Sequence, residues 1–409
     1  MLYRSALSVC AVVFCAMTAY AQDPPPPPTP AGPLPPRTDR SVQGPEGILQ
    51  TPLVRSEPWA FSLGVNGSYE GNALFTGPTE DDKEFAHTVQ ATLNRSWRLR
   101  RGDVSFSGTA TQAFYQDTTS LNDFRYSVNG GLSHAITRRL TWAGAVGLAS
   151  GLARDSQVLT DAGAVLPSTA TTRSSTATSL FSYLLSPKAS LTWSVAESGV
   201  GFSSAAFNGG ANLTTAVSFM RQVGKRGMTV GVTSDYTRTF TDSFDSSVYG
   251  VLGTWTMPVG RGWMVSASGG VRPYSVPGED SLRLTSTYNG GVTKAVRRNQ
   301  TIGVTYSKSV QQVFGLREGN NLVQSVSGIY GAALGQKVAI SMGGSFTQAE
   351  DPISDSSSLG EVVQGSLSYH VLRNLSLTVG TSVYSRKLDV VGRTNSTQTF
   401  IMLAYNTSF

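Results

Sequence analysis

From residue 58 onward, apolar and polar side chains alternate with a period of two, segment after segment. In LSLTVGTSVYS, Leu375, Leu377, Val379 and Val383 share one face while Ser376, Thr378, Gly380 and Ser382 share the other. VAISMGGSF sets Val338, Ile340, Met342 and Phe346 against Ala339, Ser341, Gly343 and Ser345. Phe61, Leu63, Val65 and Tyr69 stand against Ala60, Ser62, Gly64 and Asn66 in the same way. Successive side chains of a strand point to opposite faces, so this pattern is a strand pattern. A half-buried soluble sandwich also alternates. What separates the two folds is the chain between the strands.

Two kinds of connection take turns along the sequence. One kind is short: residues 98–103, 137–140, 186–189, 223–227, 258–262, 296–300, 334–337 and 372–374. The other is longer and polar, around 71–82, 117–123, 152–173, 197–209, 241–246, 275–280, 314–320, 349–360 and 386–396. Eight short and nine long connections join 18 strands, an even number whose two ends fall on the short-turn side. Short turns on one rim and long loops on the other are the layout of a transmembrane antiparallel β-barrel. The expected fold is therefore all-β, an up-and-down barrel of about 18 strands, with 16 to 18 as the range set by boundary error.

Three patterns agree with it. The seven prolines after residue 58 all fall in connections or at strand ends, where no ladder donor is needed. The six tryptophans, at 59, 97, 142, 193, 255 and 263, sit in the turn-side half of their strands, as an interfacial girdle would. Tyr69, Phe114, Phe124, Tyr236 and Tyr249 would build the other girdle. Charge is sorted as well. The turns carry 13 Lys/Arg against a single acid, Asp103, and the loops carry 17 of the 26 acids.

Composition fits the same picture: 40% hydrophobic, 14% charged and 43 glycines in 409 residues, against about 25% charged in ordinary soluble domains. Residues 1–21 read as a secretory signal, with Arg4, an apolar stretch and a small-x-small site at Ala19-Tyr20-Ala21. Cys10 and Cys15, the only cysteines, lie inside it, so the processed chain would hold no disulfide and no thiolate metal site. Residues 22–57 carry 11 of the 19 prolines and read as a disordered or polyproline spacer. The barrel is assigned to 58–409. No apolar run long enough for a membrane helix follows the signal.

The last strand runs to Phe409, with Ile401, Leu403 and Tyr405 on one face. A terminal Phe on an alternating strand resembles the signal that bacterial outer-membrane proteins present to the barrel-assembly machinery, although Thr407 departs from the larger apolar residue common there. The span 58–409 resembles porin-like outer-membrane β-barrel proteins of Gram-negative bacteria, of the uncharacterised putative porin type. That resemblance implies an outer-membrane location, contact with lipid and lipopolysaccharide, and passage of small hydrophilic solutes. SYLLSPKASLTW (182–193) has a weaker likeness to barrels of polysaccharide export, so an accessory export barrel, or a surface adhesion scaffold, is the alternative.

Most inward positions of the expected register are small and neutral: Asn66, Gln90, Asn94, Thr109, Asn129, Thr229, Thr285, Asn289 and Ser366. The inward charged or titratable candidates are Arg125, Asp235, Arg283, Glu361 and His370, which describes a permeation path of weak charge selectivity. The longest loop, 152–173, holds Arg154, Asp155, Asp161 and Arg173. By resemblance to general porins, it is a candidate constriction. The basic turns suit anionic headgroups of the inner leaflet. The net charge of +6 resides largely in those turns and so does not point to nucleic acid. Of the three histidines, His87 and His134 take lipid-side parity. No hydrolase, zinc, P-loop or dinucleotide motif is present, so neither an enzyme nor a cofactor is expected. The oligomeric state is left open.

Overall fold

The computed structural model describes residues 59–71, 83–99, 101–152, 170–204, 209–224, 227–241, 245–260, 262–276, 281–297, 299–313, 319–335, 337–350, 357–372, 374–388 and 392–408. Residues 1–58, which include the segments expected as signal and spacer, and Phe409 lie outside them. The strands in chain order are β1 (Ala60–Gly71), β2 (Lys83–Leu99), β3 (Gly102–Tyr115), β4 (Asp123–Ala135), β5 (Leu140–Leu152), β6 (Thr171–Ser186), β7 (Ala189–Phe202), β8 (Gly210–Val223), β9 (Met228–Thr241), β10 (Asp245–Pro258), β11 (Trp263–Ser275), β12 (Leu282–Arg297), β13 (Gln300–Val313), β14 (Gly319–Leu334), β15 (Val338–Glu350), β16 (Ser357–Leu372), β17 (Leu375–Leu388) and β18 (Gly392–Ser408).

Each strand pairs antiparallel with its sequence neighbours in one 18-stranded sheet, and β18 returns to β1. The seam runs from Ala60↔Ser408 to Gly71↔Thr397. Closure pairs every strand on both sides, the condition for strands to sit in hydrocarbon, although the β12–β13 ladder stops short, at Tyr288↔Lys308. At a strand spacing of about 4.8 Å and a tilt of about 40°, 18 strands enclose a bore roughly 35 Å across between backbones.

The outward face is apolar all round. Leu63, Val65, Val128, Leu148, Val217, Val251, Val304, Met342, Val363 and Leu403 stand 40–64% exposed. A soluble domain would bury side chains of this kind, worth about 1.5–3 kcal/mol each. An unbroken belt of them is the outer surface of an outer-membrane β-barrel. Outward aromatic clusters mark its inner edge: Trp142, Phe181 and Trp193 lie with ring centroids 6.5 and 5.5 Å apart, and the two indoles donate to Ser179 and Thr215. On the same edge the Arg95 guanidinium lies between the rings of Trp59 and Trp97, at 4.8 and 4.7 Å. Its aliphatic stem can thus stay at the lipid boundary while the charge finds aromatic faces.

The short turns are tight. Residues 258–262 turn through Gly260 and Gly262, at φ 69° and 78°, a left-handed backbone that glycine takes without penalty. The opposite rim differs from expectation in detail. Two segments expected as long loops are partly strand: β7 continues through 197–202 to Phe202, and between β17 and β18 only 389–391 separate the strands. The ladders carry on beyond the apolar belt with polar side chains, so polarity alone does not mark where a strand stops. Between β3 and β4 the chain makes a short 3₁₀ turn, Thr119–Leu121, and the Leu121 side chain is 1% exposed.

Candidate functional site

The inner wall is built by the second half of each alternation. Its recurring unit is a pair of hydroxyls facing each other across adjacent strands: Thr214 with Thr237 at 2.9 Å, Ser218 with Thr233 at 2.8 Å, Ser307 with Ser325 at 2.7 Å, and Ser341 with Ser366 at 2.7 Å. Each pair is directly opposed in register. Such groups hydrogen-bond to one another or to water without occupying much space. Asn66, Gln90, Asn94, Thr109, Asn129, Thr229, Thr285, Asn289 and Ser366 all share this inward register.

Charge enters the wall at a few points. Asp235 on β9 and Arg272 on β11 face inward on either side of Gly250 of β10, and the Arg272 Nη2 donates to Asp235 Oδ2 at 2.6 Å. A methyl group at Gly250 would stand 2.8 Å from the Asp235 carboxyl carbon and 2.9 Å from Arg272 Nε. The glycine is therefore what allows two side chains, two strands apart, to meet. The sequence marks Asp235 as inward and says nothing of Arg272. Val271 outward and 50% exposed puts Arg272 inward by parity, but the adjacent Pro273 and Tyr274 read equally well as a strand end and a girdle residue.

Near the long-loop rim Arg125 donates through Nε to Asp123 at 3.3 Å, and the same carboxylate oxygen accepts the Leu152 backbone N–H at 2.9 Å. Glu84 is 3% exposed. Its carboxylate accepts the backbone N–H of Asp117 and Thr118 and the Thr118 hydroxyl, at 2.8, 3.0 and 3.1 Å. The acid fastens the β3–β4 connection to β2, a role invisible without knowing which loop passes beside it.

Arg283 is inward on β12, opposite Tyr274, and His370 is inward and exposed near the short-turn end of β16. Glu361 is corrected. It lies opposite Phe346 and Ser385 on the outward register and is exposed. β16 alternates without a break from Ser357 to His370, so an inward Ser366 forces residue 361 outward. Arg173 belongs to β6, opposite Ser150 and Gly201, on the register of outward Phe181 and Tyr183. Arg154, Asp155 and Asp161 lie outside the described residues, as does Phe409. Ile401, Leu403 and Tyr405 are outward and 56%, 46% and 46% exposed. His87 is outward, edge-on to Phe85 at 4.7 Å, and His134 is outward opposite Trp142.

Inward apolar patches depart from the polar rule, one of them on β18. Phe400, Met402 and Ala404 of β18 are 1–3% exposed on the inner register, and the Phe400 ring lies over Gly380 of β17.

No protein-family model matches the chain, and no curated protein matches it in sequence. Solved structures match it as barrels. The outer membrane protein opdK of Pseudomonas aeruginosa is 11% identical, with a TM-score of 0.47 over 86% of this chain and 99% of that one. Acinetobacter baumannii OccAB4 is 10% identical, with a TM-score of 0.45 over 87% and 99%. The siderophore receptor PirA of Pseudomonas aeruginosa is 8% identical, with a TM-score of 0.47 over 87% and 81%. At these values the likeness is one of architecture.

Proposed function

We propose that this barrel is an outer-membrane channel through which small hydrophilic solutes diffuse passively. The observation that carries it is the contrast between the two faces of one sheet. The outer face carries an apolar belt, with polar outward side chains toward its rims, while the inner face is rich in paired Ser and Thr. A wall of self-satisfied hydroxyls around a bore of roughly 35 Å offers water and hydrated solutes a smooth path. Its ionic side chains include two matched pairs, Asp235 with Arg272 and Asp123 with Arg125, which favours weak selectivity among ions. Lipid and lipopolysaccharide would contact the outer belt, and Ile401, Leu403 and Tyr405 would present the terminal strand to the assembly machinery.

The test is reconstitution. In planar bilayers the purified protein should give stable, ohmic single-channel steps, and proteoliposomes should swell in isotonic sugar at a rate that falls with sugar size. A barrel that folds, as judged by heat-dependent gel mobility, yet gives neither conductance nor swelling would remove the channel reading in favour of a scaffold.

A further inference from the structure

The regular wall fails at one place. The β11–β12 ladder runs to Ser275↔Leu282 at the long-loop rim, and the β13–β14 ladder runs to Val313↔Gly319 at the same rim. Between them, β12 and β13 part after Tyr288↔Lys308, so residues 282–287 of β12 have no β13 partner. The upper part of β13 has left β12, while β14 stays paired with β15 as far as Leu322↔Glu350, so the end of the hairpin swings off the wall about its β14 side.

Where it goes is fixed by its contacts. Val310 forms a buried cluster with Val248, Tyr274 and Val276, and Leu322 packs against it. Asn320 donates through Nδ2 to the Ser275 carbonyl at 2.7 Å. Val248 and Tyr274 are inward residues of β10 and β11, opposite one another. Val310 and Leu322 are paired with each other on the hairpin's outward register. An outward side chain of β13 can touch an inward side chain of β10 only if the hairpin crosses the inner side of β12. Thr287, inward on the unpaired stretch of β12, is 4% exposed, as a residue beneath such a crossing would be.

We infer that the β13–β14 hairpin is the specificity-determining element of the channel, selecting small uncharged, hydroxyl-rich solutes at the outer mouth. The inference rests on the channel reading above. With Val310, Leu322 and Asn320 turned to the wall, the alternate positions Ser309, Gln311 and Asn321 face the bore. All three are polar and uncharged, and all are partly exposed. From Val310, whose partner Leu322 is still tied to β15, to Val313 the hairpin projects at most about 10 Å, under a third of a bore of roughly 35 Å. Nine strands away around the ring, on the opposite wall, β4 presents the matched Asp123–Arg125 pair. On these two sides the passage is bordered by donors and acceptors with no net charge.

The inward position is also displaceable. Buried side-chain atoms with no hydrogen-bond partner gather in this sector: Thr287 Oγ1, Arg272 Nε, Asp235 Oδ1, Ser246 Oγ and Asn320 Oδ1. Polar atoms shut away from water without partners weaken the arrangement that encloses them. The hydroxyls of a passing solute, or water admitted when the hairpin lifts, would satisfy them.

Two variants test this in planar bilayers and liposomes. One replaces residues 312–320 by Gly-Gly. The other, Val310→Asn with Leu322→Asn, keeps the hairpin's length and removes its seat; both are checked for folding by heat-dependent gel mobility. Each should raise single-channel conductance about 1.1-fold or more, from the roughly one-tenth of the cross-section a two-stranded ribbon of that reach would block, and should admit larger sugars. Gln311→Glu should make the channel at least about twofold more cation-selective at low salt, while Gln348→Glu, on the outward register of β15, should not. If wild type conducts and the folded variants match it in conductance and sugar cut-off, the hairpin inference falls and the channel reading stands. If wild type is silent and the variants conduct, the hairpin controls the mouth and free diffusion is wrong. Silence from all of them overturns both.

Discussion

The Asp235–Arg272 pair allows a quantitative test of how the inner wall holds charge. The carboxylate is 7% and the guanidinium 21% exposed, and they meet at 2.6 Å. Removing one partner of a fully buried pair costs about 3–5 kcal/mol, because the survivor is left charged and unpaired. Arg272 keeps a fifth of its surface in the lumen, where water can compensate, so Asp235→Asn should cost about 2–3 kcal/mol. Arg272→Gln should cost somewhat less, and the double variant should be more stable than the sum implies, with a coupling of about 1–3 kcal/mol. Gly250→Ala reaches the same pair by a different route. Its methyl group would stand within 2.9 Å of Arg272 Nε, so the bridge must part although both charges remain. The assay is urea unfolding of the lipid-reconstituted barrel, followed by tryptophan fluorescence, as a double-mutant cycle. In parallel, Asp235→Asn leaves an uncompensated cation in the lumen. Zero-current potentials in a salt gradient should move toward anion selectivity, more at 0.01 M than at 1 M, since screening lengths are about 30 and 3 Å there. Additive single-variant costs, within about 0.3–0.5 kcal/mol, together with an unmoved zero-current potential, would refute a coupled pair bordering the pathway.

Other expectations can be checked with the same preparation. Ile401→Arg, on the lipid face, should destabilise the barrel by about 2–4 kcal/mol; Asn129→Arg, exposed on the inner register, should unfold at nearly the wild-type urea concentration. Glu84→Ala strands the N–H groups of Asp117 and Thr118, so it should cost about 1–3 kcal/mol and open residues 116–122 to limited proteolysis. Ser179→Ala deprives the Trp142 indole of its acceptor at 2.9 Å, for about 0.5–1.5 kcal/mol and a shifted tryptophan emission. Reversing Arg138 and Arg139 to Glu should lower folding yield in anionic lipid, because the turn sits at the headgroups, and should leave the zero-current potential where it was.

The architecture was legible because a membrane barrel writes itself twice in the chain, in side-chain parity and in the two-way alternation of connections. Parity also placed Asn66, Gln90 and Asp235 inward. It failed for Glu361, which cannot share the inward face with Ser366 five residues away on one unbroken strand, since an odd spacing exchanges lumen for lipid. Arg272 was hidden by Pro273 and Tyr274 at a strand end. Other features leave no trace in periodicity at all. Val310 alternates as a lipid-facing residue should, and only the parting of β12 from β13 turns it inward. Glu84 reads as one more polar residue until the β3–β4 connection is seen to lie against it. These are contacts between segments far apart in sequence, and alternation describes only neighbours.

The seam between β1 and β18 is, hydrogen bond for hydrogen bond, a ladder like any other, and Ala60 lies opposite Ser408 on the short-turn rim. Topologically the wall is a ring with a single nick, and its hydrogen bonding does not depend on where the nick falls. A circular permutant that tied residue 408 to residue 60 by a short linker, and opened instead at another short turn, would keep every strand beside the same two companions.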